Sequence, residues 1–414
     1  MQKYIPFTKK MKKDYTILVP DMLPNHFKLI MSYLKTLGYK MELLTNDGQE
    51  IIETSLKYVN NDNCFPAMLV IGQFIKALNS GKYDNNKVAL IMFQSGGGCR
   101  ASNYMSLIRN ALKKAGYGFV PVISFNLLGM ENHPGFKLTL NMLNGMLYSV
   151  LYGDLIMCVA NQCKPYEKSK GETEILVDKW TQQLGKELGE NKRLSYRKIK
   201  ENYFKILEDF SKIKRQKQDN IKVGIIGEIY IKYSPLGNNY LENFLAHEGC
   251  EIVVHGLMDF CLYCIYNLLM DYKLYGIRWG TYMLNKPFYK YLCKKQNDVV
   301  NIIKKHSFFE PFTPFSTLVD YSKEYINYGA KMGEGWLICA EIVEMIKNNV
   351  SNIVCTQPFG CLPSHICCKG MFKPIKENYP QLNIVAIDYD AAASKINQKN
   401  RIKLMLANAK NNKR

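Results

Sequence analysis

Val88-Ala89-Leu90-Ile91-Met92-Phe93-Gln94 is an apolar run closed by Gln94, and Ser95-Gly96-Gly97-Gly98-Cys99 follows it directly. A short apolar run bounded by turn residues reads as a strand buried on both faces, and helical spacing over 101–115 completes a strand, a glycine turn and a helix. Strands buried in this way need helices on both faces, so the unit predicts an α/β fold. The pattern recurs on either side of it. Strands are predicted over 15–20, 41–44 and 120–125, with a helix over 26–37, and together with 88–94 they make one parallel sheet. From 134 to 214 the spacing is helical throughout, which predicts a connecting helical layer. Alternation then resumes, with strands over 221–229, 251–255, 352–357 and 383–388 and helices over 239–248 and 336–347. The expected architecture is two Rossmann-like lobes, each a doubly wound parallel sheet, joined by the helical layer and facing each other across an interlobe cleft. The boundaries read as a basic N-terminal tail at 1–14, a first lobe with its helical extension at 15–218, and a second lobe at 219–414.

The 414 residues are 47% hydrophobic and 22% charged, enough for two or three packed units and incompatible with a disordered or collagen-like chain. Lys and Arg outnumber Asp and Glu by 55 to 36, a net charge of +19, which brings nucleic acid, phosphates and coenzyme A into consideration. The excess is dispersed over the start (Lys9, Lys10, Lys12, Lys13), the segment 192–217 and the tail from Lys410. Such runs are solvated faces, and without zinc-finger spacing or an aromatic-basic ribonucleoprotein motif no nucleic-acid partner is expected. Between Lys137 and Lys164 the only charge is Asp154. Asn141, Asn144, Gly145, Ser149, Gly153 and Asn161 interrupt this stretch, so a buried helix is expected in place of a membrane span. A soluble, cytoplasmic protein with no membrane partner follows.

Thirteen cysteines exceed ordinary usage. Residues 1–15 carry charge but no apolar core of a secretory signal. An odd count without export argues for a reducing compartment, where cysteine enrichment accompanies metal binding or catalysis. Ligands in open α/β sheets lie beyond the carboxyl ends of the strands, and that rule sorts the thiols. Cys99 ends the glycine turn at a helix start, where backbone N–H groups favour a thiolate. Cys64, in Asn63-Cys64-Phe65-Pro66, heads a helix whose first turn accepts Pro66. Cys361 lies past a strand end, whereas Cys355, six residues earlier, is still inside that strand. Cys64, Cys99 and Cys361 thus share one level at strand exits, and three soft ligands on separate loops suit an iron–sulfur cluster with one iron left for another ligand, or a zinc site. Their spacing matches neither a ferredoxin run nor a zinc-finger pair.

The other cysteines read more plainly. Cys158, Cys163, Cys250, Cys293 and Cys339 are small core residues, as is the pair in Cys261-Leu262-Tyr263-Cys264, and adjacent Cys367 and Cys368 supply at most one ligand. Gly96-Gly97-Gly98 lacks the Lys-Ser/Thr of a P-loop. A nucleophilic Cys99 with His133, His255 or His365 as base has no partner pattern behind it. Glu228 ends a second-lobe strand and reads equally as a carboxylate in the cleft, the candidate catalytic residue, or as a helix cap.

Four strings carry a family resemblance: Asn61-Asp62-Asn63-Cys64-Phe65-Pro66-Ala67, Gln94 to Tyr104 (QSGGGCRASNY), Val223-Gly224-Ile225-Ile226-Gly227-Glu228, and Gln357-Pro358-Phe359-Gly360-Cys361-Leu362-Pro363. They resemble the 2-hydroxyacyl-CoA dehydratase superfamily, most closely the dehydratase-related region of CoA-substrate-specific activase fusion proteins and the double-cubane cluster proteins. The resemblance runs from about Tyr15 to Leu406. It implies an iron–sulfur cluster, either 4Fe-4S or double-cubane 8Fe-9S, held in the cleft by Cys64, Cys99 and Cys361, with Cys355 as a further candidate ligand. It also implies electrons from an ATP-hydrolysing activase, expected in trans because no activase motif accompanies these strings. In the dehydratases an open cluster iron binds the thioester, and one-electron reduction gives a ketyl radical that expels the hydroxyl as water. Double-cubane relatives reduce small molecules, so the expected substrate is an acyl-CoA or a small molecule, in a homodimeric or heterodimeric assembly. The alternative is a non-catalytic iron–sulfur electron carrier or assembly partner of an activase system.

Overall fold

The computed structural model describes residues 4–93, 98–125, 131–190, 195–216 and 218–412. Eight strands form two sheets: β1 Thr16–Pro20, β2 Lys40–Leu44, β3 Val88–Phe93 and β4 Val122–Phe125 in the first, and β5 Ile221–Gly227, β6 Cys250–Val254, β7 Asn352–Pro358 and β8 Asn383–Tyr389 in the second. Every pairing is parallel, in the orders β2-β1-β3-β4 and β6-β5-β7-β8. The chain is therefore an α/β protein of two Rossmann-like lobes. In each order the winding reverses between the first and third strands, which opens a crevice beyond the carboxyl ends of β1/β3 and of β5/β7.

Alternation explains the unbroken apolar run. Ala89 and Ile91 of β3 join the core on one face of the first sheet, while Val88 and Leu90 join the core on the other. The observed ends depart from the expected ones in two places that matter for the site. The helix expected over 101–115 begins as a tight turn at Arg100–Asn103 before the helix Tyr104–Lys114, and β5 stops at Gly227, where a short helix Ile229–Tyr233 begins. The basic start is anchored: Phe7 is buried and its N–H donates to His133 Nδ1 at 3.1 Å, while Lys9 and Lys10 are exposed.

The helical layer consists of Leu140–Cys163, Glu172–Glu190 and Tyr196–Ser211. Leu140–Cys163 is long and apolar enough to cross a membrane, yet most of it is buried inside the protein against the helix Pro24–Thr36, strand β6 and the helices Leu257–Tyr275 and Trp279–His306. Its interruptions have packing reasons. A Cβ on Gly153 would lie 2.4 Å from the His26 ring, so only glycine admits that ring. Asp154 accepts a hydrogen bond from His26 Nε2 at 2.7 Å and from the backbone N–H groups of Leu257 and Met258 at 2.7 and 2.9 Å. The lone charge of an apolar helix thus caps a helix of the second lobe while holding a histidine of the first.

Candidate functional site

Each of the three thiols is set by local backbone geometry, but only Cys99 and Cys361 follow a strand; Cys64, expected at a strand exit, lies between the helices Gln49–Leu56 and Phe65–Asn79. Cys64 caps the helix Phe65–Asn79, with Pro66 in its first turn, and its Sγ lies 3.2 Å from the Tyr104 hydroxyl. Cys99 caps the turn Arg100–Asn103, and backbone N–H groups of Arg100 and Ala101 reach its thiol. The Arg100 guanidinium donates to the Asp62 carbonyl, which ties the Cys99 turn to the Cys64 loop. Cys361 closes a turn on the Pro358 carbonyl at 3.1 Å, made with Gly360 at φ +69°, and the Ser364 hydroxyl donates to its Sγ at 3.3 Å.

Two carboxyl groups accompany them. Gly227 has φ +131°, and a Cβ there would fall 1.8 Å from the Thr356 carbonyl oxygen, so the sharp exit from β5 requires glycine. That exit presents Glu228, whose carboxylate accepts from the Ile231 N–H at 2.9 Å. Glu334, absent from the sequence-based expectations, accepts from the Ile229 N–H at 3.0 Å. Both carboxyls therefore serve the start of the helix Ile229–Tyr233, and Glu228 is at once a helix cap and a neighbour of the thiols.

The segment carrying Glu334 joins the two lobes. A Cβ on Gly98 would meet Met332 Sδ at 2.6 Å, and a Cβ on Gly333 would lie 2.9 Å from Pro363 Cγ and 3.9 Å from Cys99 Sγ. The loops bearing Cys99 and Cys361 thus converge on one glycine that leaves no side chain between them. The signal that could have found Glu334 is Gly333-Glu334-Gly335, an acid between two glycines that both adopt positive φ, +56° and +40°.

Acids outweigh bases here. Burial pushes the Cys64 thiol up to about 12, with the Glu228 and Cys99 charges adding and the Tyr104 hydroxyl opposing. Burial also raises Cys99, against the pull of its two N–H groups and with Glu334 and Glu228 adding. The N–H groups favour the Cys99 thiolate as expected, but desolvation outweighs them. Cys361 is raised well above the ordinary thiol range by burial and by Glu228. Glu228 is pushed up to about 8, first by burial and then by Glu334, while backbone N–H groups and the Lys232 ammonium oppose; Glu334 is raised by burial too. Lys232 is itself buried and paired with Glu341 at 2.9 Å.

This arrangement makes a pH prediction. Between its ordinary value of 4.5 and about 8, Glu228 holds its proton in the folded chain and loses it in the unfolded one. Stability therefore falls as pH rises through that window. Metal-free Glu228→Gln is expected to lose less stability than the parent between pH 5 and pH 8 in urea titrations. Equal losses would remove Glu228 as a buried, protonated acid.

Other expected residues are not brought together. Cys355 does not face the cleft: its Sγ lies 2.8 Å from Cys368 Sγ in the second-lobe core, with Cys339 in the same cluster, because its position in β7 turns it toward the helix Gly335–Lys347. His133 is held by Phe7 and Glu131, and His255 by Glu344 and Asp259. His365 stays beside the site, with Nδ1 2.8 Å from the Cys361 carbonyl oxygen. Gly96 and Gly97 of the glycine turn lie outside the described residues. Among the described residues no three His, Cys, Asp or Glu side chains stand close enough to hold a metal ion as they are oriented. Compared with known protein families and with curated proteins, the chain finds no match, so the dehydratase resemblance rests on the four strings alone.

Proposed function

We propose that this chain is an iron–sulfur protein of the 2-hydroxyacyl-CoA dehydratase type, a dehydratase or reductase working in the cytoplasm on an acyl-CoA or a small molecule and activated in trans by an ATP-hydrolysing electron donor. The observation that carries the reading is the gathering of three thiols around the Glu228 and Glu334 carboxyls, at a site where burial raises each of these groups above its ordinary value. A polycationic metal–sulfur centre would reverse that balance by stabilising thiolates. The donor set fits such a centre in kind: thiols on separate loops, all free of disulfides, around a glycine that keeps the space between Cys99 and Pro363 clear. A single ion, which needs its donors near 2.3 Å from one point, fits the present orientations less well.

Cys64, Cys99 and Cys361 would hold the cluster, which when bound supplies the low-potential electron. The remaining roles belong to the chain itself. Glu228, protonated near neutral pH, is placed to give a proton to a leaving group and to take one back, and its raised pKa is the tuning such a step requires. The Glu334 carboxyl keeps that proton on Glu228 by adjacent negative charge. Tyr104 orients the Cys64 thiol through its hydroxyl. A pure electron carrier has no use for a protonated acid among its ligands, which favours the enzymatic reading. Anaerobic purification is expected to give brown protein with about four irons per chain for a 4Fe-4S cluster or about eight for a double-cubane. Colourless protein without iron and sulfide after cluster reconstitution would refute the proposal.

A further inference from the structure

The helices Leu257–Tyr275 and Trp279–His306 form a hairpin between β6 and β7, turned by Gly276 and Arg278, both at positive φ. Its tip exposes Tyr275, Ile277, Trp279, Met283, Leu284 and Phe288, with Trp279 61% and Leu284 76% accessible. Single exposed apolar residues are ordinary, but so many gathered on one hairpin mark an interaction surface. No acidic residue occurs from Tyr272 to Asn297, and Lys273, Arg278, Lys286, Lys290 and Lys294 are all exposed around the apolar side chains. An apolar centre within a basic rim calls for an apolar centre within an acidic one.

The hairpin is fastened to the wall of the thiol site. Lys331 pairs with Asp271, Arg278 reaches Asp271 at 3.1 Å, and the Tyr275 hydroxyl fills the place of a Cβ on Gly329. The same segment, a few residues on, puts Met332 against Gly98 and Gly333 beside Cys99. Whatever docks on the tip therefore stands next to the wall of the site. A second copy of this chain is disfavoured, because it would set the same cations against each other on two molecules each carrying +19.

We propose that this hairpin is the docking surface of the protein that delivers electrons in trans, and that the partner meets it with an apolar face rimmed by Asp and Glu. The partner's role rests on the function proposed above; the surface rests on the exposed side chains and their charge. The test introduces the photo-crosslinker p-benzoylphenylalanine at position 283 in the cells that make the protein, and identifies the adduct by mass spectrometry. The identified protein, once purified, is expected to bind the parent chain saturably and more weakly as salt is raised from about 50 to 500 mM. Leu284→Asp and Phe288→Asp are each expected to weaken binding about tenfold or more. Cys99→Ser should leave it intact, and iron content should be unchanged in the hairpin variants, so failure of the docking surface and failure of the iron–sulfur reading are separable. The absence of any adduct, an adduct only with a second copy, or binding insensitive to both substitutions would overturn the proposal. So would sedimentation with phosphatidylcholine–phosphatidylglycerol vesicles that the substitutions abolish, which would make the occupant a lipid surface.

Discussion

Cys99→Ser is expected to reduce iron and acid-labile sulfide in anaerobically purified protein to a small fraction of the parent, and Cys64→Ser and Cys361→Ser should do the same. Serine is a harder and far less acidic donor that replaces a thiolate on iron poorly, and with three candidate cysteine ligands the loss of one leaves too few. Cys293→Ser and Cys355→Ser are the controls. Cys293 lies on the helix Trp279–His306 and Cys355 faces Cys368 in the core, so iron should stay at the parental level in both. Cys355→Ser buries a hydroxyl and is expected to lower stability by about 1–3 kcal/mol, which thermal unfolding separates from metal loss. If Cys99→Ser and Cys355→Ser lose iron equally, the assignment of ligands is wrong. If neither loses iron, the site lies elsewhere.

Asp154→Ala is expected to be the most destabilising single change in the helical layer. The carboxylate is almost fully buried and carries three hydrogen bonds, to His26 and to the Leu257 and Met258 N–H groups. Alanine would leave two helix-start donors and a buried imidazole without their acceptor, a loss of about 3–5 kcal/mol. Urea denaturation followed by tryptophan fluorescence and circular dichroism should show the midpoint falling in both probes together, because the bonds span both lobes. Asp154→Asn keeps an acceptor oxygen and should cost less. A loss below about 1 kcal/mol for Asp154→Ala would mean that water or a rearranged neighbour replaces the carboxylate.

Much of the architecture was legible because local periodicity reports burial. The run from Val88 to Ile91, bounded by a glycine turn, reads as a strand covered on both sides, and Asn352–Pro358 and Asn383–Tyr389 repeat the pattern within a residue or two of expectation. Element ends were less legible where tertiary contacts decide them. Gly227 ends β5 because Thr356 of the neighbouring strand leaves no room for a Cβ, which no pattern around Gly227 records. Cys99 and Cys361 could be placed at strand exits, and Cys64 at the head of a helix, from turn chemistry alone. Glu334 could not, because its partner Ile229 is more than a hundred residues away, and Gly333-Glu334-Gly335 marks a turn at a helix start without recording what that turn meets.

By itself the sequence determined the class of fold, the level at which the three thiols emerge and the buried character of the helix around Asp154, since each follows from periodicity, turn residues and the cost of burying charge. Only the tertiary structure decided the strand orders, the turning of Cys355 toward Cys368, the arrival of Glu334 beside Glu228 and the upward shift of both carboxyls. These depend on which distant segments share a desolvated space, and desolvation belongs to the packed assembly of residues, not to any one stretch of chain.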